Sequence, residues 1–331
     1  MNFGRQSTTR STDALRAIFS VHVRMDICGE EAYAIYSGAR DHMLLHIALV
    51  SITKEVTLAN LAPVSAAIQK QISRDFGPMW NVEATVDVFD KLEDVPIGYW
   101  HVLLQDELPN GAAGLHKRDD NKQPFALVAL TTNWPVFMSH EVLEMLVDPQ
   151  GTLTRAGNSL KSDQGRVEYL IEVCDPCQAS RFAYSVNSVM VSDFYTPQYF
   201  DPVKSSGVRY SFSGQVRGPR EVLDGGYLSW FDPQTRHLFQ LQVDGKKKTI
   251  ADRGEVPFAA ESLRALSDRV SADRRDSVIK GGSRAGLRLN AETDYRKRAR
   301  IEKPKLTAVD HAQVAHARNL WAQLERIAAA E

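Results

Sequence analysis

The chain alternates between two rhythms of apolar residues, and the changes of rhythm mark its elements. Val82–Phe89 alternates apolar and polar side chains, and Gly98–Gln105 has the same character; a period of two is that of a strand with one buried face. Residues 114–130 read as two short strands around the polar turn Asp119-Asp120-Asn121, with Pro124 at a strand start or edge. Ahead of these, Ala17–Val23 and Leu44–Val50 are short apolar runs, predicted as strands or a strand plus a short helix. From Thr57, which has the character of an N-cap, apolar residues recur at helical spacing as far as Phe76. This predicts a helix from about 60 to 76 that tolerates Pro63 near its start. A second helix is predicted over Trp134–Val147 and stopped by Asp148-Pro149. Strands are then expected within Arg166–Cys174, on both sides of Asn187 in Phe182–Phe194, and in a hairpin turning at Asp232-Pro233, with an aromatic loop over Tyr195–Pro202. A last amphipathic helix, Val309–Ala330, carries Val314, Leu320, Trp321, Leu324 and Ile327.

This mixture predicts an α+β fold: a mixed sheet with a motif-bearing helix, a β-rich downstream part and a helical C-terminal tail. The 331 residues divide, on this pattern, into a polar leader (1–12), one domain (13–245), a charged linker region (246–308) and a terminal helix (309–331). Apolar content of 43% and charged content of 24% are those of a folded protein. A net charge of −1 supplies no global field for nucleic acid or an anionic membrane. Arg296-Lys-Arg-Ala-Arg is basic, but Glu292, Asp294 and Glu302 interleave with it, so a solvated linker is expected in preference to a nucleic-acid contact. No apolar run approaches the roughly 20 residues that span a bilayer, and no apolar signal core follows the N-terminus; the expectation is a cytoplasmic protein. Three cysteines, Cys28, Cys174 and Cys177, do not suggest a disulfide scaffold. Cys174-x-x-Cys177 has redox or half-zinc-finger spacing, but without a second pair its thiols read as small buried apolar groups.

The chemistry concentrates in Ser139-His-Glu-Val-Leu-Glu-Met-Leu-Val-Asp-Pro149. On a helix, His140 and Glu144 stand one turn apart on one face and can grip one metal ion. Glu141 lies about 100° around from His140, placed to act on an activated water. This is the H-E-x-x-H arrangement of metalloproteases with glutamate in place of the second histidine. The bland alternative is a solvated helix face with a weak i,i+4 pair. A catalytic zinc takes three protein ligands and leaves one position open. Glu172, 28 residues beyond Glu144, is the candidate third ligand, against a polar strand residue near the surface. Asp175 is a candidate to hydrogen-bond His140 and fix its tautomer without itself being a ligand. Asp148 is a candidate for the same outer layer, or simply an end-cap for the helix.

The segments 139–149 and Glu172-Val-Cys-Asp175 resemble a group of uncharacterised bacterial zincin-like proteins with an S-H-E-x-x-E-x-x-x-D-P motif and a downstream acidic segment. The resemblance covers roughly residues 57–203, and the position of Glu172 is similar to that of the downstream glutamate in gluzincins. It implies a metallopeptidase-like fold with a metal at His140, Glu144 and Glu172. The order long helix, strand, strand, edge hairpin, motif helix is also that of zincins, whose edge strand holds an extended peptide by β-addition.

On this reading the cofactor is Zn2+, or another divalent transition metal, because one histidine and two carboxylates form a harder set than two histidines and one carboxylate. Glu141 is the expected general base, and Tyr195, with Tyr184 and Tyr199 as alternatives, the expected oxyanion donor. The expected partner is a peptide or protein substrate. A catalytically inactive zincin-like module that binds a protein is the competing reading.

Overall fold

Four parallel strands and one antiparallel edge strand build the first sheet, in the order β2-β1-β3-β5-β4. They are β1 (Leu45–Ser51), β2 (Ala84–Phe89), β3 (Trp100–Gln105), β4 (Gly114–Arg118) and β5 (Pro124–Ala129). The computed structural model describes residues 44–108, 111–257, 263–264, 266–267 and 308–329, although not every side chain of the last segment. The expectations for the leader, for Ala17–Val23, for Cys28 and for the basic stretch around Arg296 lie outside the described residues.

Alternation along these strands sorts the core into two layers. Ile47, Leu49, Val102, Leu104, Ala126 and Val128 face helix α1 (Leu58–Lys70) and helix α2 (Trp134–Val147), meeting Leu61, Val64, Ile68 and Val142. Ala48, Val50, Leu103, Phe125 and Leu127 face the other way, toward Ala317, Leu320 and Trp321 of helix α3 (Ala308–Ala329). A sheet covered on both faces has apolar residues in succession, which is why β1 and β5 read as unbroken runs and not as clean alternation. Two hydrogen bonds to the β4–β5 turn also fix α3: Gln323 Oε1 accepts the Asp120 N–H at 2.8 Å, and Arg326 Nη2 donates to the Asp120 carboxylate at 2.8 Å. Leu324 and Ile327 are outside the described side chains.

Helix α1 begins at Thr57, whose N–H donates to Asn60 Oδ1 at 3.0 Å. It continues past Lys70 through a wider π-type turn, Gln71–Phe76, and a last α turn, Gly77–Trp80. Helix α2 has the predicted bounds.

Downstream of α2 run β6 (Thr154–Asn158), β7 (Arg166–Leu170), the small hairpin β8 (Tyr184–Val186) and β9 (Val189–Val191), then β10 (Tyr227–Asp232), β11 (His237–Asp244) and β12 (Lys247–Glu255). A second, antiparallel sheet takes the order β12-β11-β10-β7-β6. The expected domain boundary at Gly245 needs correction. Gly245, at φ 59°, turns a hairpin, and β12 pairs with β11 along Lys247–Glu255. The charge there belongs to an exposed edge strand, where lysines discourage further pairing. The described fold is therefore α+β, with one mixed and two antiparallel sheets.

Candidate functional site

Helix α2 buries the polar motif against the two-sided core. Ser139, His140, Glu141 and Glu144 are each at most 2% exposed, which excludes the solvated-face reading of the motif. Ser139 locks the register: its hydroxyl donates to Gln71 Oε1 at 2.7 Å and accepts the Ser192 N–H at 3.1 Å. Gln71 Nε2 in turn donates to the Ser192 carbonyl at 2.8 Å. The π-type turn thus supplies the amide that ties the motif helix to β9 and the loop after it, and such turns recur at functional sites.

The loop after β7 brings its acids to the same place. His140 Nε2 lies 3.2 Å from Glu144 Oε2 and 3.3 Å from Asp175 Oδ1. Glu144 Oε1 accepts the Cys174 N–H at 3.1 Å, which fixes the carboxylate and leaves Oε2 turned toward the ring. Donor atoms of Glu144, Glu172 and Asp175 lie within 4.8 Å of one another, as do those of His140, Glu144 and Cys174, and those of His116, Glu141 and Glu144. Glu144 is common to all three sets. The turn carrying Asp175 is seated by Gly226: a Cβ there would fall 2.5 Å from the Pro176 carbonyl oxygen, so only glycine lets β10 start so close.

His140, Glu144 and Glu172 come together, with Glu172 buried and not on a strand surface. Asp175 does meet the His140 ring, and does so at the same nitrogen, Nε2, that Glu144 faces. Asp148 serves the exit of α2: its two oxygens accept the N–H groups of Thr152 and Leu153 at 3.0 and 2.8 Å. Tyr195 lies beside the acids, and its fully buried hydroxyl has no hydrogen-bond partner among the described residues. Burial first, and then the charges of its neighbours, Glu172, Glu144 and Asp175 among them, push this phenol well above its usual range, so it stays a donor. Tyr199 donates to the Glu221 carbonyl, and Tyr184 to Asp75, so neither points its hydroxyl at the site.

Two participants escaped the sequence. His116, on edge strand β4, puts Nδ1 3.4 Å from Glu141 Oε2. The contact depends on Gly114, where a Cβ would fall 2.4 Å from Glu141 Oε1. The alternation of β4 was the available signal, since residues 114 and 116 share a face. The second is Arg264. Its Nη2 lies 2.5 Å from Glu144 Oε2 and 3.7 Å from Glu141 Oε2, and its Nη1 lies 2.5 Å from Glu172 Oε2. Nothing local around Arg264 announces this.

Among the described residues, four acidic side chains therefore share a buried site with one guanidinium and two imidazoles. Burial alone would lower the His140 pKa, but the charge of Glu144, contacts with Asp175 and Glu144, and the charge of Glu141 outweigh it and raise it to about 10. Burial likewise disfavours the Glu144 carboxylate, yet His140, Arg264 and His116 hold it well below its usual range. The Cys174 and Cys177 thiols are pushed up by burial and then by surrounding acids, so they are not nucleophilic thiolates. The imidazole, thiol and carboxylate atoms gathered around Glu144 are of the types that could hold a metal ion. No protein-family model, curated protein or solved structure matches the chain. No helix among the described residues is long and apolar enough to cross a membrane.

Proposed function

We propose that this protein is a metal-dependent hydrolase of the zincin type, a peptidase with Glu141 as general base. One observation carries the reading: Glu172, from a separate loop, joins Glu144 and Asp175 in a buried donor set that His140 also faces. The element order adds support, because antiparallel edge strand β4 lies against motif helix α2, as the zincin resemblance implies.

His140, Glu144 and Glu172 would hold the ion, with Asp175 close enough to share it. A bound divalent ion would supply Lewis-acid chemistry, polarising a carbonyl and acidifying a water. Glu141 takes the proton from the attacking water and returns it to the leaving amine, while His116 steadies its carboxylate from β4. The Tyr195 hydroxyl donates to the oxyanion. An extended peptide would pair with the open side of β4.

A second reading, a catalytically inactive module that binds a protein, draws on Arg264, which already pairs with three of the carboxylates. Elemental mass spectrometry of protein purified without chelator separates the two. About one transition metal per chain is expected, lost in His140→Ala and in Glu172→Ala. A wild type that takes up none, even after incubation with zinc or manganese, removes the hydrolase reading.

A further inference from the structure

Arg264 holds the two carboxylate oxygens that a metal ion would take. Glu144 Oε2, the oxygen facing His140, is the one paired with Nη2, and Glu172 Oε2 is paired with Nη1. Nη2 also lies 3.7 Å from the oxygen of Glu141 that meets His116. One guanidinium thus engages both acidic ligands and the proposed base. A fork of N–H donors suits paired carboxylates. A divalent ion bound to the same oxygens would face a fixed positive charge at contact distance, in a medium that screens it poorly.

The anchor of this arginine lies outside the cluster. Leu263 and Leu266, on either side of Arg264, pack on Leu170, Leu238 and Val256 at the second sheet, and both are only partly buried. Ser267 Oγ lies 2.7 Å from Ser229 Oγ and accepts from Gln240 Nε2 at 3.4 Å. Arg264 thus reaches the ligand helix from a segment seated on the second sheet by an apolar contact and by the Ser267 hydrogen bonds. Ion pairs of this kind gain little over their desolvation cost, so a better cation can replace them.

We propose that Arg264 is a built-in competitor for the cation site, an autoinhibitory contact that a divalent ion must displace before Glu141 is free to act. The inference rests on the proposed metal site and adds its regulation. Full-length wild type, Arg264→Gln and the double variant His140→Ala/Arg264→Gln would be titrated with zinc and with manganese by calorimetry. Arg264→Gln should bind at least about 10-fold more tightly than wild type, and the double variant should lose that gain. Equal or weaker binding by Arg264→Gln, with wild type binding, overturns the competitor and leaves the metal site standing. No binding by either protein overturns both.

Should Arg264→Gln not fold, tryptic cleavage of the wild type after Arg264, followed by mass spectrometry, decides. The bond should be protected in chelator and cut several-fold faster at saturating zinc. A cleavage rate indifferent to the metal overturns the proposal.

Discussion

His140 and His101 lie on opposite sides of the first sheet and are almost equally buried, at 2% and 4% exposed, yet they titrate in opposite directions. Around His101, which faces the ring of His316 in α3, burial and then the charge of that second histidine lower the pKa to about 4. Around His140 the same burial is overcome by carboxylates, and the pKa rises to about 10. Desolvation always penalises the charged imidazole; what differs is whether acids stand within reach to offset it. The α3 side of the sheet keeps its histidine neutral beside leucines, as a core does. The α2 side concentrates charge and keeps it buried, an arrangement that costs stability and that chemistry or cation binding would explain.

The largest effect expected from this contrast is catalytic. Glu141→Gln preserves size and burial on the charged side but removes the base, so hydrolysis of a peptide library should fall by about 10²–10⁴-fold. Metal content and thermal midpoint should stay near wild type. Full activity in the variant would sink the proposed mechanism and make the charged side merely structural.

A smaller effect tests the other side. Because the His101 pKa is depressed in the folded protein, its neutral form is favoured there. Between the ordinary value of 6.5 and about 4, the unfolded chain binds a proton that the folded chain refuses. Stability should therefore drop as pH falls through that window, with His101 responsible for up to about 3 kcal/mol. Urea denaturation across this range should show a shallower acid loss for His101→Leu than for wild type. Parallel curves would mean that His101 does not carry the difference.

The smallest effect concerns the end of the motif. Asp148→Ala removes the acceptor for two backbone N–H groups and should cost about 1–2 kcal/mol in denaturant unfolding. It should leave metal stoichiometry unchanged, and loss of metal would return Asp148 to the site.

Local pattern made much of this legible. Trp134–Val147 could be bounded because helical periodicity begins after Asn133 and Asp148-Pro149 ends it, and the hairpins around Asp119-Asp120-Asn121 and Asn187 follow from turn chemistry. The motif itself was readable because i,i+4 spacing on a helix is a local fact. A lysine-rich stretch has the composition of a linker whether or not a neighbouring strand pairs with it, so the sequence marks a boundary at Gly245 where the fold has a hairpin turn. Spacing places Asp175 near His140 without saying which ring nitrogen it meets; the fold brings it to Nε2, beside Glu144.

The sequence by itself marked most of the elements, put forward His140, Glu144 and Glu141 through spacing within one helix, and put forward Glu172 through its distance from Glu144 and the zincin resemblance. Only the tertiary structure decided that the motif is buried, that His116 arrives from β4, and that Arg264, 120 residues from Glu144, fills the acidic cluster. The physical reason is range. Helix and turn preferences act over a few residues, whereas burial and charge pairing depend on which distant segments the packed core brings together.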